Sequence, residues 1–278
     1  MSLYMLSHRW PVLLRIFAVS FFTLLAARGH VVWSIIALVI GAYAAMQVSI
    51  ALMNDYCKRE RDAQGRLDIA NPHSLVSPRI ALTGAIAMMA LMAVLLAPLP
   101  PLTWVISLCY LALGQGYNLK LKATMYGSIV FALVMLLIPV YAFVGVGRIV
   151  SFLFWLVPIG FLLGVTLNLA NSLPTIEEDT RSGAQTLTVT LGVKRSFMAC
   201  QLLIVVSATL IGLLAITQVV PTQPWVLVTT LILACLGIEA MLLFFGPEKP
   251  IETRRLYFYV VALTCIALAG GWLLGVIA

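Results

Sequence analysis

The amino-acid sequence predicts an all-α integral membrane protein: a bundle of nine transmembrane helices forming a single domain. Three observations carry this expectation. Apolar residues make up 62% of the 278-residue chain and charged residues only 10%, where a soluble domain carries about 25%. Long apolar runs recur from one end to the other, with a mean hydropathy of +1.07. Nearly all the charge falls in alternate connections between those runs. Lipid is therefore the expected solvent, and lipid selects helices because each helix satisfies its own backbone polar groups.

A bilayer core takes about 20 apolar residues per helix. On that scale the spans are Pro11–Ala27, Val31–Met53, Pro78–Ala97, Leu102–Tyr117, Thr124–Val146, Ser151–Asn171, Phe197–Thr217, Pro224–Phe245 and Leu256–Ala278. Breaks fall at charge clusters and at Gly/Pro pairs. The apolar run Ile16–Ala27 follows His8, Arg9 and Arg15, and no small-residue cleavage site with a soluble domain comes after it, so it reads as the first span and not as a signal peptide. Cys109, Cys200, Cys235 and Cys265 lie in apolar runs, where Cys behaves as a small hydrophobe. Cys57 sits beside a polar motif. No CxxC pair occurs, so neither a disulfide framework nor a cysteine metal site is expected.

Nine spans put the termini on opposite sides. One set of connections holds the N-terminus and the segments around 54–79, 118–123, 172–196 and 246–255. It carries 15 of the 17 Lys and Arg, and the other set carries only Arg28 and Arg148. The positive-inside rule places the first set, and the N-terminus, in the cytoplasm. Nine of the ten acids lie on the same side; the tenth, Glu239, lies in the eighth run and is expected to meet a polar neighbour or face a chamber. Acids contribute little to orientation. Another demand must gather them.

The long connections follow spans two and six, and long loops tend to be functional. Each opens with Asn and has Asp eight positions on: Asn54 and Asp62, Asn171 and Asp179. Each then runs to a basic restart, Arg79 or Lys194-Arg195. The correspondence predicts two weak repeats, roughly 31–147 and 151–278.

If span two continues as a helix, Asn54, Asp55, Lys58 and Asp62 share one face. Oxygen ligands clustered at a membrane boundary suit Mg2+, which keeps waters and bridges carboxylates to phosphates. An ordinary solvated helix end is the other reading. At the end of span six, Asn168, Asn171, Ser172, Thr175 and Asp179 recur at helical spacing. They would supply oxygen ligands along one stripe, or hydrogen bonds between helices; Pro174 is expected to bend the helix. Tyr117, Lys120 and Lys122 follow span four, and Arg181 follows the second motif. Such cations can bind phosphate oxygens beside a metal cluster, or simply anchor the chain at the membrane surface. Together these features describe a site for an amphiphile with an anionic head and an apolar tail.

The motifs read Asn54-Asp-Tyr-Cys-Lys-Arg-Glu-Arg-Asp62 and Thr175-Ile-Glu-Glu-Asp179, the second continuing through Gly183 to Thr186-Leu-Thr-Val-Thr-Leu-Gly192. Tyr117-Asn-Leu-Lys-Leu-Lys122 with Gly127, and Leu75-Val-Ser-Pro-Arg-Ile80, complete the pattern. In order and spacing, over essentially its whole length, the chain resembles the UbiA superfamily of intramembrane prenyltransferases. That family carries Asn-Asp-x-x-Asp-x-x-x-Asp after helix two and Asp-x-x-x-Asp after helix six. Here Lys58 and Thr175 stand where the family has Asp, Ser172 replaces another Asp, and an Arg common before helix three is missing around His73-Ser74.

The resemblance implies a fold of UbiA prenyltransferase type and Mg2+ as cofactor. Asn54, Asp55, Asp62, Asn171, Thr175 and Asp179 would hold the ion on an isoprenyl diphosphate, with Asn168 in the same cofactor-binding set. Lys58, Tyr117, Lys120, Lys122 and Arg181 would serve its departure, with Lys58 contacting the diphosphate in place of one metal bridge. The implied partners are an isoprenyl diphosphate, an aromatic or lipid acceptor and membrane lipids, with no nucleic acid. The implied setting is a bacterial or archaeal cell membrane. Prenyl transfer to an acceptor is the leading reading. The second motif also resembles the Asn/Asp-x-x-x-Ser/Thr-x-x-x-Glu triad of terpene cyclases, so acceptor-free cyclisation is an alternative. A catalytically silent prenyl-lipid binder is a third. A transporter is disfavoured, because its polar groups would gather near the midplane.

Overall fold

The structure, a computed structural model, describes residues 3–29, 32–65, 77–119, 121–246 and 248–277; of residues 3–11 and 58–65 it describes the backbone alone. The described residues form ten α-helices: α1 (Leu3–Ala26), α2 (Trp33–Gly65), α3 (Pro78–Leu96), α4 (Pro101–Leu119), α5 (Gly127–Gly145), α6 (Phe152–Ser172), α7 (Ile176–Arg181), α8 (Leu187–Ile216), α9 (Pro224–Phe244) and α10 (Ile251–Ile277). All but α7 run 19 residues or more, so nine long helices stand among the described residues. Seven of them (α2, α3, α5, α6, α8, α9 and α10) are long and apolar enough to cross a membrane. In α1 the described side chains form an apolar stretch, Val12–Ala26, and α4 carries Gln115, Tyr117 and Asn118 in its last turns. The chain is an integral membrane protein.

Two helices depart instructively from the apolar runs that predict them. The 33 residues of α2 rise about 50 Å, well beyond a hydrocarbon core of about 30 Å. The helix therefore carries the first motif out of the apolar layer without a break. The seventh run predicts a helix from Phe197, but α8 begins at Leu187. Thr186 caps it, its Oγ1 accepting from Val189 N at 3.2 Å. The first turns then end at Gly192, whose φ of 75° and ψ of 168° kink the helix before it resumes. Apolar length locates a span; the cap and the glycine locate the helix.

The chain divides into two compact units, one of Met1–Lys120 with Leu137–Val150, the other of Leu121–Leu136 with Ser151–Ala278. In the first, α2 packs against α1, α3 and α4. Tyr43, Tyr110 and Tyr141 are fully buried there. Tyr141 donates to Val39 O at 2.8 Å, and the Tyr43 ring lies 5.4 Å from each of the other two. In the second unit, α6 packs on α8 and α10, and α9 on α10. Small residues set these approaches, because in lipid close backbone packing drives helix association. A Cβ on Gly164 of α6 would stand 2.6 Å from Ala132 Cα of α5. Gly237 and Gly271 take Thr264 and Thr230 against their backbones in the α9–α10 seam.

Candidate active site

In the first unit the end of α4 meets the middle of α2 at Ile50. Gly114 lets α4 approach, since a Cβ there would lie 2.7 Å from Ile50 Cδ1. One turn on, Asn118 Nδ2 donates to Ile50 O at 3.0 Å. Asn54 follows Ile50 by one turn and is half-buried, as is Tyr117; Asp55 is exposed. The α2 helix continues unbroken to Gly65, so Lys58 and Asp62 fall one and two turns beyond Asn54 on the same backbone face. Their side chains, and the whole of Lys120, lie outside the described residues.

Deeper in this unit runs a polar chain that the sequence motifs do not include. Gln47 Nε2 donates to Tyr110 OH at 2.7 Å, the Tyr43 and Tyr110 hydroxyls stand 2.9 Å apart, and Arg15 Nη1 reaches Gln47 Oε1 at 3.5 Å. Gln47 is 1% exposed. A carboxamide within the second apolar run was the available signal, because polar side chains at that depth need partners.

In the second unit the expected stripe along span six is broken. α6 stops at Ser172, the turn Leu173–Thr175 carries Pro174, and α7 starts afresh at Ile176. Proline has no N–H and its ring clashes with the preceding turn, so the helix cannot run straight through. Asn171 is exposed before the break. Thr175 and Asp179 stay together beyond it: Thr175 Oγ1 donates to Asp179 Oδ2 at 3.3 Å. Asn168 is buried instead, its Oδ1 accepting from Ser128 Oγ of α5 at 2.6 Å. The structure thus gives Asn168 the inter-helix bond that its sequence position also allowed.

After α7 the chain folds back. Ala184 N donates to Asp179 O at 3.0 Å, with Gly183 at a φ of 73°, a conformation that glycine adopts freely. Gln185 N then donates to Ala123 O at 2.9 Å. That bond ties the turn carrying Lys122 to the connection after α7. Arg181 is exposed at the end of α7.

The carboxylates here lie past the end of the apolar run. Partial burial pushes the Asp179 carboxyl above its ordinary range; the Thr175 hydrogen bond and the Lys122 charge pull it back only in part, and Glu178 adds to the rise. Glu177 differs. Desolvation opposes its charge, but the Arg254 hydrogen bond, a backbone bond and the Arg254 and Arg181 charges outweigh it and hold the carboxyl low.

Among the described residues no three His, Cys, Asp or Glu gather closely enough to hold a metal by themselves. Each unit offers oxygen: in the second the Asp179 carboxylate with the Thr175 hydroxyl, in the first the Asn54 amide next to the Asp55 carboxylate in sequence. Each of these donor pairs fits Mg2+, which prefers one or two carboxylates plus substrate phosphates and waters over an all-protein cage. Glu239, the acid within the eighth run, is exposed on α9.

A family model described as the UbiA prenyltransferase family matches residues 14–263. Solved structures match along the whole chain. One is described as structural and mechanistic insights into the biosynthesis of digeranylgeranylglyceryl phosphate synthase in membranes; identity is 17%, coverage 95% of this chain and 93% of that one, and the TM-score 0.75. A UbiA homologue from Aeropyrum pernix K1 matches at 15% identity, over 95% of this chain and 98% of that one, with a TM-score of 0.70. A UbiA homologue from Archaeoglobus fulgidus, bound to GPP and Mg2+, matches at 17% identity, over 96% and 98%, with a TM-score of 0.66. At this identity the likeness establishes the fold. No curated protein matches the chain in sequence.

Proposed function

This chain belongs to the UbiA prenyltransferase family, and from that premise we propose that it ionises an isoprenyl diphosphate in the membrane and transfers the prenyl group to an aromatic or lipid acceptor. The observation that carries the reading is the Thr175–Asp179 pair, hydrogen-bonded at 3.3 Å at the end of the second motif. In the A. fulgidus homologue the ligands are GPP and Mg2+, and the hard oxygen donors here suit the same chemistry.

In this reading Asp55, Asp62 and Asp179 would hold the ion, supported by Asn54, Asn171 and Thr175. Mg2+, when bound, supplies Lewis-acid polarisation of the phosphate oxygens. Lys58, Lys120, Lys122 and Arg181 would neutralise the charge that develops on the diphosphate as the C–O bond breaks, and Tyr117 belongs to the same catalytic set. Asn168 stands outside the set because its oxygen serves Ser128. The allylic cation left behind needs apolar walls that exclude water; the acceptor's nucleophilic atom then bonds the allylic carbon and gives up its proton to the released diphosphate. The substrate enters on the cytoplasmic side, where the cations lie.

The test is incubation of purified protein with Mg2+ and isoprenyl diphosphates of graded length, with pyrophosphate and organic products measured with and without aromatic and lipid acceptors. Prenylated acceptor is the expected product. Pyrophosphate with a cyclic hydrocarbon or alcohol and no acceptor dependence would replace transfer with cyclisation. No release at any chain length would leave a binding protein.

A further inference from the structure

The second unit contains an ion pair that the proposed chemistry does not use. Arg254 Nη1 donates to Glu177 Oε1 at 2.5 Å, the Arg254 side chain being 11% exposed and that of Glu177 44%. The cation is badly placed by every local criterion. It sits in the first turn of α10, where the helix dipole favours anions. Its Nε is buried with no hydrogen-bond partner among the described residues. An arginine so placed needs its carboxylate, and that carboxylate lies on α7.

The α7 helix has six residues, too few to hold an orientation by its own hydrogen bonds. Its setting comes from what it touches. Leu173 and Ile176 are buried beneath it, which fixes its depth. Its rotation needs a second point, and Glu177 supplies one, midway between Thr175 and Asp179. The other end of that contact is rigid. Next to Arg254 on α10, Tyr257 is fully buried and stacks on Phe197 of α8 with ring centroids 4.3 Å apart. The start of α10 also packs against the Leu173–Thr175 turn.

We propose that Arg254 is a positioning residue: through Glu177 it fixes the rotation of α7, and so aims the Thr175–Asp179 pair at the metal-bound diphosphate. Arg254 itself touches neither. The proposal rests on the prenyl-transfer reading above. It also explains how a second motif with Thr in place of its first Asp keeps one carboxylate well aimed.

Full-length protein in detergent tests this with Arg254→Gln, Glu177→Gln and the double variant. Each is titrated with Mg2+ for pyrophosphate release and with Mn2+ for binding, read by electron paramagnetic resonance, alongside thermal unfolding. Each single variant is expected to raise the half-saturating metal concentration about tenfold, the usual effect of losing a partner that orients a ligand. The double variant should be no worse than either single one, since one contact is lost in all three. Arg254→Lys, which keeps a charge but not the forked geometry, should fall between, and it serves if the glutamine variant unfolds. Single variants within about twofold of the parent, or effects that multiply in the double variant, would overturn the positioning role alone. A parent protein that neither binds Mn2+ nor releases pyrophosphate would sink the prenyl-transfer reading and this proposal together.

Discussion

Thr175 donates its hydroxyl to Asp179 Oδ2 at 3.3 Å across one turn, although the helix that should have carried both is broken between Asn171 and Ile176. The pair is therefore a property of α7 and its preceding turn, not of α6. A threonine at this position orients the carboxylate but adds no charge. Asp179→Asn is expected to lower pyrophosphate release by about 100-fold, the scale of losing one electrostatic contact to a transition state. Thr175→Ala should cost about tenfold, because an oriented carboxylate is merely released. Thr175→Asp, by adding a carboxylate, should lower the Mg2+ concentration needed for half-maximal release. Titration of all three variants with Mg2+ checks the order.

Lys58 is the companion departure in the first motif. A lysine can meet a phosphate as a point charge without a bridging ion. If it does so here, Lys58→Asp should increase the dependence on Mg2+ and weaken the diphosphate at low Mg2+, with partial recovery at high Mg2+. An unchanged Mg2+ profile and unchanged diphosphate affinity would remove Lys58 from the site.

What the sequence revealed, and what it hid, follows from range. Asn54, Asp55 and Asp62 were legible because α2 is one unbroken helix, so spacing along the chain is spacing along a face. Asn168 was ambiguous because its partner, Ser128, is 40 residues away on another helix and no local pattern links them. The Arg254–Glu177 pair spans 77 residues and left no signal at all. The long helices were visible as apolar runs, but the start of α8 was not. A Thr cap and a Gly kink act through backbone geometry that average hydropathy does not sense.

Packing in the second unit depends on one glycine more than on its neighbours. A Cβ at Gly164 would lie 2.6 Å from Ala132 Cα and 2.9 Å from its Cβ. The obstacle is backbone, so the helices must separate. Gly164→Ala is expected to destabilise the protein by about 1 to 3 kcal/mol, the usual cost of overpacking. At Gly212 in α8 a Cβ would meet nothing within 4 Å, and Gly212→Ala should be neutral or stabilising by up to about 1 kcal/mol. Thermal unfolding in detergent separates the two.

Orientation rests on 15 Lys and Arg against two, and one of the two has a structural duty. Arg148 Nη1 donates to Ala26 O and Arg28 O, each at 3.0 Å. It thus bonds carbonyls at and just beyond the C-terminal end of α1. Its place on the sparse side is explained by this cap, so it weakens the charge bias less than a bare count implies. Ile149 is 66% exposed beside it, and Ser182 is exposed just after α7. In intact cells a membrane-impermeant maleimide should label Ile149→Cys, and should label Ser182→Cys only after the membrane is opened. The parent chain, whose exposed Cys109 and Cys235 lie within α4 and α9, gives the background. Labelling in the reverse pattern would place the motif-bearing connections outside the cell, where the positive-inside rule forbids them.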